Sequence, residues 1–153
     1  MMKTADDILN EKGSAVYSVS IEATIADAIK LMVDKRIGAV LVEQDGKMVG
    51  IWTERDLLRS SLSGNFDPQT ARIADHMTLN LITVPHTESM YRLMDKFLGL
   101  RLRHLPVEKE GKIIGLLSSG DVIKTALVEK TREFDELNKM VSWEYYENWR
   151  WKK

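Results

Sequence analysis

Two short polar motifs are the segments of this chain best suited to chemistry, Thr53-Glu54-Arg55-Asp56 and Ser118-Ser119-Gly120-Asp121. In each motif a hydroxyl residue precedes an aspartate by three positions. A carboxylate can accept hydrogen bonds from both hydroxyls of a ribose cis-diol, and the neighbouring hydroxyl can add another bond. The same spacing is also that of a capping box at a helix N-terminus, with Asp in place of Glu. The spacing alone therefore leaves a ligand-binding role and a purely structural role open.

Other kinds of reactive site are poorly supported by the sequence. The chain has no Cys, which excludes disulfides, thiolate metal ligands and cysteine catalysis. Its three histidines are scattered and show no metal-ligand spacing. There is no Ser-His-Asp arrangement, Walker loop or Gly-x-Gly-x-x-Gly motif. We expect neither a metal nor catalysis, and an enzyme that turns over a nucleotide is kept as a third alternative.

The two motifs belong to an internal repeat with a constant offset of 65 residues, which carries Thr53 to Ser118. Residues 42–59 align without a gap with residues 107–124, and 6 of the 18 pairs are identical while 8 more are conservative. This period is longer than the roughly 20–50 residues of solenoid repeats, so it favours two copies of a compact unit.

Each copy is predicted to be a β-α-β-β-α unit. Apolar spacing, turn dipeptides and N-cap residues, such as Thr24 with Asp27, indicate the elements. The predicted strands are 16–19, 37–42 and 48–52, then 81–84, 105–107 and 113–117, with a helix after the first and third strand of each copy. One unit alone has too small a core. We predict a mixed α/β (α+β) fold of two repeats related by a pseudo-twofold axis, in three segments: 1–64 with an N-terminal helix, 65–126, and a helical tail 127–153.

The residues around the two motifs resemble a known family. The segments 50–56 and 115–121, with Thr24-Ile25-Ala26-Asp27-Ala28 and Arg103-His104-Leu105-Pro106-Val107, are similar to the signature of CBS domains, named after cystathionine β-synthase. The resemblance covers about residues 10–125 and implies a tandem CBS pair, or Bateman module. Such modules usually bind adenosine compounds, among them AMP, ADP, ATP, NAD or S-adenosylmethionine, in clefts between the repeats, and often form disc-shaped dimers.

The resemblance also implies two sets of nucleotide-binding residues. One cleft would combine Ser18, Ile37 and Gly38 with Arg103, His104, Ser118 and Asp121. The other would combine Thr83 and Leu102 with Thr53, Arg55 and Asp56. Arg103 and His104 would meet a phosphate in the first cleft, unless they are only the polar start of a strand. Copy one has Gly38 and Ala39 at the matching places, so we expect the two clefts to differ.

The charge and the apolar content of the chain limit the classes of partner that it can bind. The 22 Lys+Arg and 23 Asp+Glu give a net charge of −1, which argues against a general nucleic-acid binder. No apolar run approaches the roughly 20 residues of a membrane span, and the start of the chain lacks a signal-peptide core. We expect a cytoplasmic homodimer that senses an adenine nucleotide and signals to a separate effector protein. The alternative is a nucleotide-independent dimeric scaffold in which the two aspartates only cap helices.

The C-terminal tail is rich in aromatic residues. Residues 126–142 carry a helical apolar pattern, and five of the chain's eleven aromatic residues fall within 143–151. So many exposed aromatic rings would form a large apolar patch. We expect this segment to cover its own surface or that of a second copy, with docking to another protein or to a membrane surface as the alternatives.

Overall fold

The computed structural model of the chain describes residues 2–13 and 15–137. Within these ranges the chain forms five α-helices, six strands and one short 3-10 helix at Ile73–Asp75. The helices are α1 (Ala5–Lys12), α2 (Ile25–Lys35), α3 (Glu54–Ser60), α4 (Met90–Leu100) and α5 (Ser119–Leu137), and the strands are β1 (Ser18–Ser20), β2 (Ala39–Gln44), β3 (Lys47–Thr53), β4 (Val84–Pro85), β5 (His104–Lys109) and β6 (Lys112–Ser118).

The strands form two three-stranded sheets with the same topology. In the first sheet β1 pairs parallel to β2, and β2 pairs antiparallel to β3. In the second, β4, β5 and β6 pair in the same way. The registers also match at the 65-residue offset, because Val42 lies opposite Gly50 and Val107 lies opposite Gly115. The predicted mixed fold of two β-α-β-β-α repeats is therefore confirmed.

Most predicted strands begin and end within two residues of the observed ones, whereas two predicted elements differ more from the structure. The strand predicted over 81–84 is reduced to Val84–Pro85. The helix that closes the second repeat and the helical pattern predicted over 126–142 form one continuous helix, α5, as far as Leu137. The aromatic segment 143–151 lies outside the described residues.

Capping boxes fix the starts of α1, α2, α3 and α5, the last through Ser118 and Asp121. At α2 the Thr24 hydroxyl accepts the Asp27 N–H at 3.2 Å, and the Asp27 carboxylate accepts the Thr24 N–H at 3.0 Å. Thr4 with Asp7 and Thr53 with Asp56 make the same pair of bonds at α1 and α3. These bonds satisfy N–H groups that a helix start leaves without partners.

Each repeat has its own hydrophobic core, and each core is closed by a segment that precedes the other repeat. The first core includes Trp52 and is completed by Ile73, Phe66 and Met77 from the linker before the second repeat. The second core is completed by Ala5, Ile8 and Leu9 of α1. A twofold relation between the repeats produces such a reciprocal exchange. The predicted boundaries group α1 with the first repeat, yet its apolar face packs on the second; the division at 64 and 126 itself stays a prediction.

Two repeat-matched glycines allow the covering segments to approach the sheets. A Cβ atom added at Gly50 would lie 2.6 Å from the Met77 sulfur, and one added at Gly115 would lie 2.6 Å from Cδ2 of Leu9. Both distances are well below van der Waals contact. A side chain at either position would therefore press on the covering segment, whatever the backbone conformation.

Candidate functional site

Asp121, in the first turn of α5, is half-buried and both caps its helix and meets a second element. Its Oδ2 atom accepts the Ser118 backbone N–H at 2.8 Å, and its own N–H donates to the Ser118 hydroxyl at 3.1 Å. The same Oδ2 accepts a hydrogen bond of 2.8 Å from Nζ of Lys12. Oδ1 has no hydrogen-bond partner among the residues that the structure describes. The capping role thus leaves one carboxylate oxygen available to another group.

Lys12, the last residue of α1, reaches this site from 109 residues away in the chain. Its ammonium group also donates to the Leu116 carbonyl at 2.8 Å. The Lys12 side chain is 37% exposed and that of Asp121 is 23% exposed, so solvent screens this ion pair only in part.

The hydrogen bonds keep Asp121 ionised. Burial by itself raises the pKa of Asp121, but the hydrogen bonds from Lys12 and from Ser118 outweigh it, and the pKa lies below its ordinary value of 3.8. The group is therefore a charged acceptor at neutral pH.

Side chains from both repeats meet beside this carboxylate. His104 begins β5 and pairs with Ser118 across the sheet. From the point where a Cβ atom on Gly38 would lie, Oε1 of Glu54 is 3.1 Å away and Cε1 of His104 is 3.5 Å away. The absence of a side chain at Gly38 therefore leaves room for a carboxylate of the first repeat and an imidazole of the second.

The imidazole is held in its neutral form. Burial is the main cause that lowers the pKa of His104 below 6.5, and the positive charge of Lys12 adds to it. The carboxylates of Glu54 and Asp121 act in the opposite direction, and Arg103 lowers the pKa further. Four charged groups from three parts of the chain thus act on the His104 imidazole at the seam between the repeats.

The residues predicted for the first cleft are brought together in part. Gly38, His104, Ser118 and Asp121 lie at this seam, and the Arg103 carbonyl accepts the Ser119 N–H at 2.9 Å. Ile37, next to Gly38, is half-buried, and its N–H donates to the Met32 carbonyl at 3.0 Å. Ser18 instead lines a groove of about 370 Å³ with residues that follow β1 and residues at the end of β2.

The residues predicted for the second cleft form separate groups. Asp56 caps α3 through Thr53, and its Oδ1 accepts a bond of 3.4 Å from Arg59. Thr83 donates to a Glu108 carboxylate oxygen at 3.1 Å, and Leu102 packs against the second core. Arg55 is exposed. In the described ranges no hydrogen bond or ion pair joins Thr83 or Leu102 to Thr53, Arg55 or Asp56.

Sequence reasoning missed Lys12 and Glu54. Glu54 lies inside the motif, between Thr53 and Asp56, so its presence near the site could have been inferred from its position. Lys12 gives no such signal, since only the docking of α1 onto the second repeat brings it to Asp121.

Away from the seam, the described residues form a further groove but no metal-binding cluster and no membrane-spanning helix. A groove of about 520 Å³ lies elsewhere, between the N-terminal residues Met2 and Lys3, Tyr91 and the acidic side of α5. Residues 2–13 and 15–137 contain no cluster of His, Cys, Asp and Glu fit to hold a metal ion. Among these residues no helix combines the length and apolar character needed to cross a membrane.

Comparisons with known proteins agree with this architecture. A family model for the CBS domain matches residues 5–63 and 73–127. The mitochondrial CBS domain-containing protein CBSX3 of Arabidopsis thaliana is 31% identical over 151 residues, which cover 93% of this chain and 73% of that protein. The solved structure of the CBS-domain containing protein ATU1752 from Agrobacterium tumefaciens has a TM-score of 0.76 and 34% identity over 81% of this chain and 99% of that one. CBSX2 in complex with AMP has a TM-score of 0.69 and 26% identity over 83% of this chain and 98% of its own.

Proposed function

The chain belongs to the CBS-domain family as a tandem pair, and we propose that it is a regulatory protein that binds an adenine nucleotide at the seam between its repeats. The observation that carries this proposal is the state of Asp121. The carboxylate is charged and half-buried at a helix N-terminus, and its Oδ1 carries no hydrogen bond within the described part of the chain.

The groups around Asp121 suit the parts of a nucleotide. The carboxylate can accept ribose hydroxyls, and the N-terminus of α5 favours a negatively charged group. Lys12 and Arg103 add positive charge to the surroundings of His104. A relative of the same fold, CBSX2, has been solved with AMP. AMP, ADP, ATP and NAD are the ligands to compare in titrations.

The proposed mechanism is regulatory and not catalytic. A ligand that contacts residues of both repeats stabilises the arrangement in which those residues are close. It can transmit a signal only through a difference in its affinity for two arrangements. We propose that the signal passes to a separate effector protein in the cytoplasm.

Calorimetric titration of AMP, ATP and NAD tests the proposal. We expect binding to the parent protein and no measurable binding to Asp121→Ala. Asp27→Ala is the matched control, because it removes the same type of capping box, worth about 1 kcal/mol, from a helix start away from the seam. It should bind as the parent does. Failure of all three nucleotides to bind the parent would refute the proposal.

The alternative is a scaffold that works without nucleotide, and the capping boxes at Asp56 and Asp121 favour it. In that case Asp121→Ala lowers the unfolding midpoint by the same amount with and without AMP. Under the proposed function, AMP raises the midpoint of the parent and leaves that of the variant unchanged.

We also propose that the partner of this chain's exposed apolar residues is a second copy. Three pairs of exposed apolar residues match at the 65-residue offset: Val33 with Leu98, Leu58 with Ile123, and Leu62 with Leu127. Their exposure runs from 51% for Ile123 to 87% for Leu62. Faces that repeat about an internal twofold are suited to a symmetric partner, which presents the same faces in return.

A further inference from the structure

Asp56 and Asp121 occupy matching positions in the two repeats, but within the described ranges only Asp121 binds a lysine from another element. At the first repeat the Ile51 carbonyl accepts the Thr78 backbone N–H at 2.8 Å. At the matching place in the second repeat, the Leu116 carbonyl accepts the Lys12 ammonium at the same distance. That ammonium also binds Asp121, whereas the ion pair described for Asp56 is the longer one with Arg59, at 3.4 Å. A lysine thus takes the place of a backbone contact only at the second site of the described chain.

Lys12 competes for Asp121 with a ribose whose hydroxyls bond to both carboxylate oxygens. Oδ2 already accepts the Ser118 N–H and the Lys12 ammonium. A hydroxyl that bonds to Oδ2 therefore competes with Lys12. Once displaced, the ammonium group, whose side chain is 37% exposed, has lost its counter-ion and is left to solvent or to another anion.

The nature of the ligand decides whether this loss is compensated. A neutral nucleoside offers no anion to the displaced ammonium. A nucleotide carries its own phosphate. This phosphate can take the place of Asp121 as the counter-ion of Lys12 and as the acceptor of its hydrogen bond. The carboxylate of Glu54 lies near His104, beside Gly38, and would repel a phosphate, so the positive charge of Lys12 is needed to offset it.

We propose that Lys12 is a specificity-determining residue, which makes the Asp121 site select phosphorylated adenosine compounds over the unphosphorylated nucleoside. This inference rests on the proposed function and adds the ligand class to it. The selection comes from an exchange of partners, in which the phosphate replaces Asp121 at the lysine while the ribose replaces the lysine at Asp121.

Titrations of AMP and adenosine measure this selection directly. We expect the parent to bind AMP more tightly than adenosine, and Lys12→Met to reduce the ratio of the two affinities by about tenfold. Adenosine should bind the variant at least as tightly as it binds the parent, because the Lys12 ammonium group no longer competes with the ribose for Asp121. Lys12→Arg should keep the preference for AMP. Lys47→Met removes an exposed lysine at the start of β3 and should leave the ratio unchanged.

The outcomes separate this inference from the proposed function. An unchanged ratio in Lys12→Met, with both ligands still bound, overturns the role of Lys12 and leaves nucleotide binding intact. Absence of binding to the parent refutes both. Should Lys12→Met fail to fold, Lys12→Gln provides the same loss of charge with a polar side chain and is held to the same ratio.

Discussion

At the scale of single residues, His104 is where the charges of the two repeats come together. It is half-buried, and Lys12, Glu54, Asp121 and Arg103 all act on its pKa, after burial itself. Because the folded protein binds a proton at His104 less readily than the unfolded chain does, stability and pH are linked through this residue.

The sign of this linkage gives a prediction for pH. Above 6.5, the ordinary His value, the imidazole is neutral in both states and has no effect. As the pH falls below 6.5, the unfolded chain is protonated first, so the free energy of unfolding falls until the lowered pKa of the folded state is passed. Denaturant unfolding between about pH 7 and pH 5 should show a smaller loss of stability for His104→Gln than for the parent. Identical pH slopes for the two proteins would contradict this prediction.

The same residue scale shows what spacing could and could not predict. The capping boxes at Thr24, Thr53 and Ser118 follow from local sequence, since four consecutive residues at a helix start suffice to form them. The local sequence does not show that Asp121 has a further hydrogen-bond partner and that Asp27, among the described residues, has only its capping bonds. This difference depends on Lys12, whose contact is made only by the folded chain. The predicted ligand role of the remaining cleft residues stays a prediction.

At the scale of elements, α1 connects the core of the second repeat to its candidate site. Its Ala5, Ile8 and Leu9 side chains close the core, while Lys12, at its C-terminal end, binds Asp121. The position of this helix therefore sets both packing and charge. The contact between Leu9 and the glycine on β6 is the closest part of that fit.

Substitutions at this contact should be strongly coupled. Gly115→Ala places a methyl group against Leu9, which is only 4% exposed, and should lower the free energy of unfolding by about 1–3 kcal/mol through overpacking. Leu9→Ala alone should cost about 2–5 kcal/mol. The double variant should cost clearly less than the sum, because the new methyl group occupies space that Leu9 vacates. Denaturant unfolding of the four proteins measures the coupling, and strictly additive losses would disprove it.

From the sequence, the helices and strands could be predicted better than which of them pack against one another. The apolar spacing of 25–32 and 90–97 and the turns at Asp45-Gly46 and Glu110-Gly111 were sufficient for helices and hairpins in both repeats. Periodicity shows that a helix has an apolar face, but not which sheet that face covers. The packing of α1 on the second repeat therefore had no local signal. The long α5 contains no proline or other break at the predicted boundary near 126.

At the scale of the whole molecule, the repeat organises the outer surface as well as the interior. Val33, Leu58 and Leu62 project from the first repeat, and their counterparts project from the second. The 65-residue offset thus preserves exposed apolar positions that neither core uses. The proposed interface with a second copy would account for their presence in both repeats.

Substitutions on this surface should change the mass of the particle in solution. We expect the parent to sediment as a dimer and the double variant Leu58→Glu/Ile123→Glu to sediment as a monomer, since the charges would have to be buried in the interface. Leu79→Glu is the control, because Leu79 is equally apolar and 57% exposed but has no counterpart in the repeat. It should remain dimeric. A parent that sediments as a monomer at every concentration would exclude the proposed interface.

The reciprocal closure of the two cores also bears on how the protein is made. On the ribosome, α1 emerges long before the strands and helices that it will cover, and the first repeat emerges before Ile73 and Met77. Neither half can complete its interior while it is being synthesised alone. A nascent chain that stops after residue 64 would leave two apolar surfaces uncovered at once, the inner face of α1 and the open side of the first core.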